Sequence, residues 1–241
     1  MWTQLPQKKG TPTLAQSLAN VYCGQMAGSM THVIPARAPV AAVTSLGDDV
    51  FVVCDESQEV EVYDAVTFTL QRCVSVPGLE SATIAACSSN KCLYASDYDN
   101  DSVHRVELSG SNAVTKWSVG RGPAGLTVNS AKNVLVVIQY ERKLQQFITH
   151  GTLLQTIQLQ PDIGRPRRVI ELSSGQIVIS HTGRHQRICL LDVTGAVVRS
   201  YGGTPGSDLT KMKEPVGLAV DEDENILVAD QDNDTLLCQR H

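Results

Sequence analysis

The chain has 241 residues, 42% hydrophobic, 5% aromatic and 19% charged, with a net charge of −5 and a pI near 5.7. That balance argues against a generally basic nucleic-acid binder and against wholesale disorder. With aromatics scarce, the core must be built from Val, Leu, Ile and Ala, and branched Val and Ile favour strands.

Residues 1–37 read as an N-terminal extension. They lack the basic-then-apolar layout of a secretory signal, and no apolar run in the chain approaches the ~20 residues that cross a bilayer. Two pieces are strand-like, "NVYCGQM" (Asn20 to Met26) and "THVIPA" (Thr31 to Ala36). The seven cysteines are an odd number with no CxxC pair, most of them beside apolar residues. They fit free thiols in a reducing compartment, so cytoplasmic residence is expected, without a membrane partner.

From residue 38 onward one pattern recurs. "VFVVCDESQ" begins at Val50, "CLYASDYDND" at Cys92, "VLVVIQYER" at Val134, "IVISHTGRH" at Ile177 and "ILVADQDND" at Ile226. Aligned, they put Asp55, Asp97, Gln139, His181 and Asp230 in one slot, at steps of 42, 42, 42 and 49 residues. The longer last step holds an insertion, "GGTPGSDLTKM", with the Gly, Pro and Ser of a loop. Each unit opens with a run such as "GLTV" or "GLAV". After the aligned run come a third ("EVEVYD", "VHRVEL", "LQQFIT", "RICLLD") and a fourth ("FTLQRCVSV", "AVTKWSV", "TLLQTIQL", "AVVRSYGG"). Apolar and polar residues alternate in these later runs, as in half-buried strands. Four strands in about 42 residues, repeated, predict an all-β propeller of four-stranded blades. Four units are full and a fifth stops inside its third strand, so the count predicts an incomplete six-bladed ring over residues 38–241. One of the two strand-like pieces of the extension is the alternative, closing five blades.

The same register explains the acidic stretch near the C-terminus. Asp221-x-Asp223-x-Asn225 and Asp230-x-Asp232-x-Asp234 imitate the start of a calcium loop. They fall on turns, where Asp and Asn bond to nearby backbone amides, and they lack the glycine and closing glutamate of an EF-hand. No metal or other cofactor is therefore expected.

The units resemble NHL repeats, most clearly in "PVGLAVDEDENILVADQDNDTLL" (Pro215 to Leu237), and less so in "GPAGLTVNSAKNVLVVIQYERKLQQF". They depart from the family's usual pattern at Glu224, Asp234 and Thr235. The resemblance implies a propeller, usually of six blades. It also implies a relation to tripartite-motif ubiquitin ligases, whose propellers bind proteins or RNA, although their RING and B-box modules have no counterpart here. Metal-dependent lyases and lactonases share related propellers.

Catalytic patterns are thin. His181-x-x-x-His185 lies on a strand and its turn, where the two rings need not share a face. Glu171, Asn129 and Asp221 follow the first strands of their blades, as channel-mouth acids and amides would. No GxSxG elbow is present. The sequence therefore points to a non-catalytic scaffold that binds a protein partner, as in the substrate-recognition part of a ubiquitin-ligase-like protein. Candidate contacts are Tyr98, Tyr140, Arg142, Arg184 and His185 in turns between second and third strands, with Arg165, Arg167 and Arg168 in an inter-blade loop. The alternatives are an RNA-binding propeller using that basic group, and a metal-dependent hydrolase or lyase with a channel site; DNA is not an expected partner.

Overall fold

In a computed structural model, the structure describes residues 2–4, 38–80, 82–203, 211–221 and 223–239. A short strand, β1 (Trp2–Gln4), stands apart in sequence from the repeats. The first blade is β2 (Val40–Leu46), β3 (Asp49–Cys54), β4 (Glu59–Asp64) and β5 (Leu70–Ser75). The second is β6 (Ala82–Cys87), β7 (Cys92–Asp97), β8 (Ser102–Glu107) and β9 (Val114–Ser118). The third is β10 (Pro123–Val128), β11 (Val134–Ile138), β12 (Lys143–Phe147) and β13 (Leu153–Gln158). The fourth is β14 (Arg165–Glu171), β15 (Ile177–Thr182), β16 (Arg187–Leu191) and β17 (Val197–Gly202). The last contains β18 (Pro215–Val220), β19 (Ile226–Asp230) and β20 (Thr235–Gln239). Each blade is an antiparallel meander, its strands hydrogen-bonded in sequence order.

The fifth sheet has the order β1-β20-β19-β18. β1 pairs antiparallel with β20, placing Trp2 opposite Gln239, Thr3 opposite Cys238 and Gln4 opposite Leu237. The fifth unit is thus a four-stranded blade whose outer strand comes from the other end of the chain. This corrects the expectation of four full blades and a partial one in an unfinished six-bladed ring. The two strand-like pieces of the extension lie outside the described residues, and the pairing strand precedes both.

Strand alternation sends apolar side chains to both faces of each sheet, and the faces stack in pairs. Phe51 and Val53 meet Leu93 and Ala95 between the first and second blades. Tyr94 and Val103 meet Val136 and Ile138 between the second and third. Val137 and Leu144 meet Ile177 and Ile179 next, and Val178 and Ile188 meet Ile226 and Val228 last. Burying one such side chain stabilises by roughly 1.5–3 kcal/mol, which no blade gains alone. The outermost faces carry separate clusters, Val50, Val52, Cys54 and Tyr63 on the first blade and Ala219, Leu227 and Cys238 on the fifth.

The first strands β2, β6, β10, β14 and β18 together wall a central channel of about 320 Å³. In four blades the first strand bulges near its start, at Val40/Ala42, Pro123/Gly125, Pro166/Arg168 and Pro215/Gly217. Proline opens β10 and β18 and is the second residue of β14, positions at the strand start where its missing N–H costs no ladder bond. The aligned slot of the repeat falls within the last two residues of the second strand for Asp97, His181 and Asp230, and one residue past it for Asp55 and Gln139. Asp97, Gln139, His181 and Asp230 are buried there, while Asp55 is exposed.

Candidate functional site

The second strands end beside the start of the first strands, so the turns after them share a face with the inter-blade connections. On this face a strap of hydrogen bonds crosses three blades. Tyr98, just past β7, donates its hydroxyl to Gln139 Oε1 at 2.7 Å. Gln139 Nε2 donates in turn to the Pro166 carbonyl at 3.2 Å. Gln139 is buried, so its amide has to be satisfied internally, and both ends are.

The Tyr140 ring packs on Tyr98 with centroids 5.9 Å apart, and the Arg121 guanidinium lies 5.2 Å from its centre. Tyr140 remains 60% exposed. Burial first, then the Tyr140 phenol beside it, push the Tyr98 hydroxyl up to about 12, while positive Arg167 acts the other way. The group is held by its surroundings. Gly122 has φ +71, and the Tyr140 ring occupies the space a Cβ would need. Asp101 Oδ1 accepts the Gly122 amide at 2.8 Å. Glu141 accepts the Arg121 amide at 2.7 Å and pairs with Lys143, which together hold its carboxyl below the ordinary range.

The remaining candidates separate. Arg142 is tied to the Pro161 carbonyl at 3.3 Å. Arg184 is exposed in the β15–β16 turn, and His185 there donates Nδ1 to the Gly203 carbonyl at 3.2 Å. Arg165, Arg167 and Arg168 belong to the first strand of the fourth blade, not to a loop. Arg165 is exposed, whereas Arg168 lines the channel. Arg121 joins the tyrosines because the β9–β10 connection folds over them.

The acids and histidines are committed to structure. Asp221 Oδ1 accepts the amides of Asp223 and Asn225 at 3.0 and 2.8 Å, and Asp230 accepts the Lys213 amide at 2.7 Å. Asn129 closes the equivalent turn by accepting the Asn133 amide, and Glu171 accepts the Ser130 amide, both at 2.8 Å. His181 Nε2 accepts from Arg187 Nε at 3.1 Å, and burial with that cation holds His181 down to about 4. It does not share a ligand position with His185. Among the described residues no three of His, Cys, Asp and Glu are grouped as metal ligands.

One constellation was hidden from sequence. Ser102, His104 and Asp97 meet across β7 and β8, with Ser102 Oγ and Asp97 Oδ2 each 3.4 Å from His104 Nε2. A relay needs the acid on one imidazole nitrogen and the nucleophile on the other. Here both lie on Nε2, Nδ1 has no partner, and all three residues are buried. Burial pushes the His104 pKa down. The cluster is a polar core.

Among solved structures the chain resembles virginiamycin B lyase from Staphylococcus aureus, with TM-score 0.66 and 17% identity over 86% of this chain and 68% of that one. A streptogramin B lyase structure aligns with TM-score 0.64 and 14% identity, over 80% and 62%. Kuenenia stuttgartiensis hydrazine synthase aligns with TM-score 0.64 and 19% identity, over 85% and 58%. At these identities the likeness is one of fold. No protein-family profile and no curated protein sequence matches the chain. Fold and site together define a five-bladed β-propeller with an aromatic and arginine rim on one face. No helix among the described residues is long and apolar enough to cross a membrane.

Proposed function

We propose that this protein is a non-catalytic binding platform that engages a protein partner through the rim formed by Tyr98, Tyr140 and Arg121. The observation that carries the reading is the exposed Tyr140 ring held between Tyr98 and Arg121 on a buried hydrogen-bonded strap. Tyrosine and arginine dominate the energetics of protein interfaces because each buries large area at modest entropic cost. A rim fixed before binding avoids part of the ordering cost of association. Its place on the propeller fits a substrate-recognition role within a larger assembly. The catalytic reading is weaker, because the buried acids and histidines described above are spent on turns and core contacts.

The test places a photo-crosslinking residue at Tyr140 and, as control, at Val66, an exposed side chain in the β4–β5 turn. The account expects one saturable protein adduct from position 140 alone. Purified partner should then bind Tyr140→Ala at least ~10-fold more weakly, the scale of one interface anchor. Stoichiometric metal in the purified protein together with turnover of a small substrate would replace the platform by an enzyme. Salt-dependent binding of single-stranded RNA without a protein adduct would replace it by the RNA-binding propeller.

A further inference from the structure

Arg168 breaks the repeat. Opposite the second strand, its place on β14 is that of Gly125 on β10, Gly217 on β18, Ala42 on β2 and Thr83 on β6. Four blades put a small residue at this point of the channel wall, and the fourth blade puts a guanidinium there. Room for it comes from the neighbouring blade. A Cβ on Gly125 would collide with the Arg167 carbonyl oxygen and press on Arg168 Cα and Cδ. Arg168 therefore crosses over Gly125 and donates Nη1 to the Ala124 carbonyl at 2.5 Å.

That bond uses one of the five donors a guanidinium carries. Arg167 is the extra residue of the bulge between Pro166 and Arg168, a device that re-aims a side chain. Its Nε is buried and has no hydrogen-bond partner. None of the ion pairs among the described residues involves Arg165, Arg167 or Arg168. The other charged residue of the channel wall, Glu171, lies at the opposite end of β14 and accepts the Ser130 amide. Burial, with Arg167 adjacent, pushes Arg168 down to about 10, and a guanidinium does not lose its proton in proteins. Two neighbouring half-buried guanidiniums with no acid between them leave donors that an anion would complete.

We propose that Arg167 and Arg168 form a site for a small oxyanion, a carboxylate or a phosphate, at the mouth of the central channel. The planar fork of arginine matches the paired oxygens of either group. The channel wall beside it mixes Thr83 and Thr127 with Leu126 and Leu218, so an anion there would meet hydroxyl groups as well as the guanidinium. Arg167 also acts on the Tyr98 hydroxyl, but the anion site does not rest on a protein partner at the rim and stands if that reading fails.

The experiment titrates the full chain with inorganic phosphate and, separately, with succinate, holding ionic strength constant with sodium chloride. Calorimetry and the melting temperature are the readouts. Saturable binding of either anion, with the melting temperature raised above the chloride control, is expected. Phosphate alone, succinate alone or both identifies the oxyanion preferred. Arg167→Gln and Arg168→Gln should each weaken binding by 10-fold or more, and Arg165→Gln should leave it within 2-fold. If Arg168→Gln does not fold, Arg167→Gln carries the test, because that side chain belongs to the bulge. Absence of saturable binding to both anions, or equal binding by Arg167→Gln, overturns the proposal.

Discussion

Tyr98 of the second blade donates its hydroxyl at 2.7 Å to Gln139 of the third, and the same Gln139 amide reaches the Pro166 carbonyl of the fourth. One side chain therefore links three wedges, alongside the pairwise bonds Asp101 makes to Gly122, Glu171 to Ser130 and Arg168 to Ala124. Gln139→Ala should destabilise the fold by about 1–3 kcal/mol, because it strands a phenol and a carbonyl in a half-buried site. Urea unfolding would show a lower midpoint at unchanged slope. The Tyr140 rim should lose order with it, seen as weaker partner binding by the folded variant.

Gly125 serves close approach. Gly125→Ala should cost about 2 kcal/mol or more, as overpacking against backbone does, since the Arg167 carbonyl oxygen cannot retreat like a flexible side chain. Gly175→Ala, at φ +79 with open space around it, should cost only its backbone strain, about 1 kcal/mol. Thermal melts of the two variants separate the mechanisms: near-equal losses would show that the bulge on β14 can shift.

His181 predicts an acid-side loss. Burial first, then Arg187, hold it down to about 4, against about 6.5 in the unfolded chain. The unfolded chain takes up a proton below about 6.5 that the folded ring refuses until about 4. Stability is thus full above 6.5 and falls as pH drops through that window, by about 2–3 kcal/mol. His104, also lowered by burial, acts in the same direction. In His181→Gln, unfolding free energy measured between pH 7 and 4 should fall less steeply than in the parent chain; parallel curves would contradict the assignment.

Asp230 works in the opposite sense. Burial raises it to about 6, although the Lys213 amide and the Asn233 side chain favour its charge. Its contribution is present below about 4 and lost as pH rises through 6. Asp230→Asn should therefore gain stability relative to the parent across that range, on the order of 2 kcal/mol. The two windows overlap with opposite signs, so the parent profile is shallower than the histidines alone would make it. Only the single-variant differences expose each group.

The equal steps from Asp55 to Asp97, Gln139 and His181 made the wedges readable in sequence. The acids at Asp221 and Asp230 proved to be turn acceptors, as their register implied. Blade count was not readable, because β1 completes a sheet whose other strands lie more than two hundred residues away, and three residues carry no periodicity. The rim was half readable. Tyr98 and Tyr140 occupy equivalent turns, and Arg121 is recognisable as an inter-blade basic residue, yet the spacing does not fix its ring contact with Tyr140. Arg168 looked like loop charge because its neighbours Arg165 and Arg167 diluted the strand pattern. Its significance appears only against the small residues Gly125 and Gly217 of the other blades.

The account rests on five equal wedges, the last one finished by the opposite end of the chain. Backbone nuclear Overhauser contacts in isotope-labelled protein test this directly. The account predicts contacts that run antiparallel, with Thr3 opposite Cys238 and its neighbours Trp2 and Gln4 opposite Gln239 and Leu237. A free edge along Thr235–Gln239, or a different segment paired to it, would contradict the five-bladed propeller.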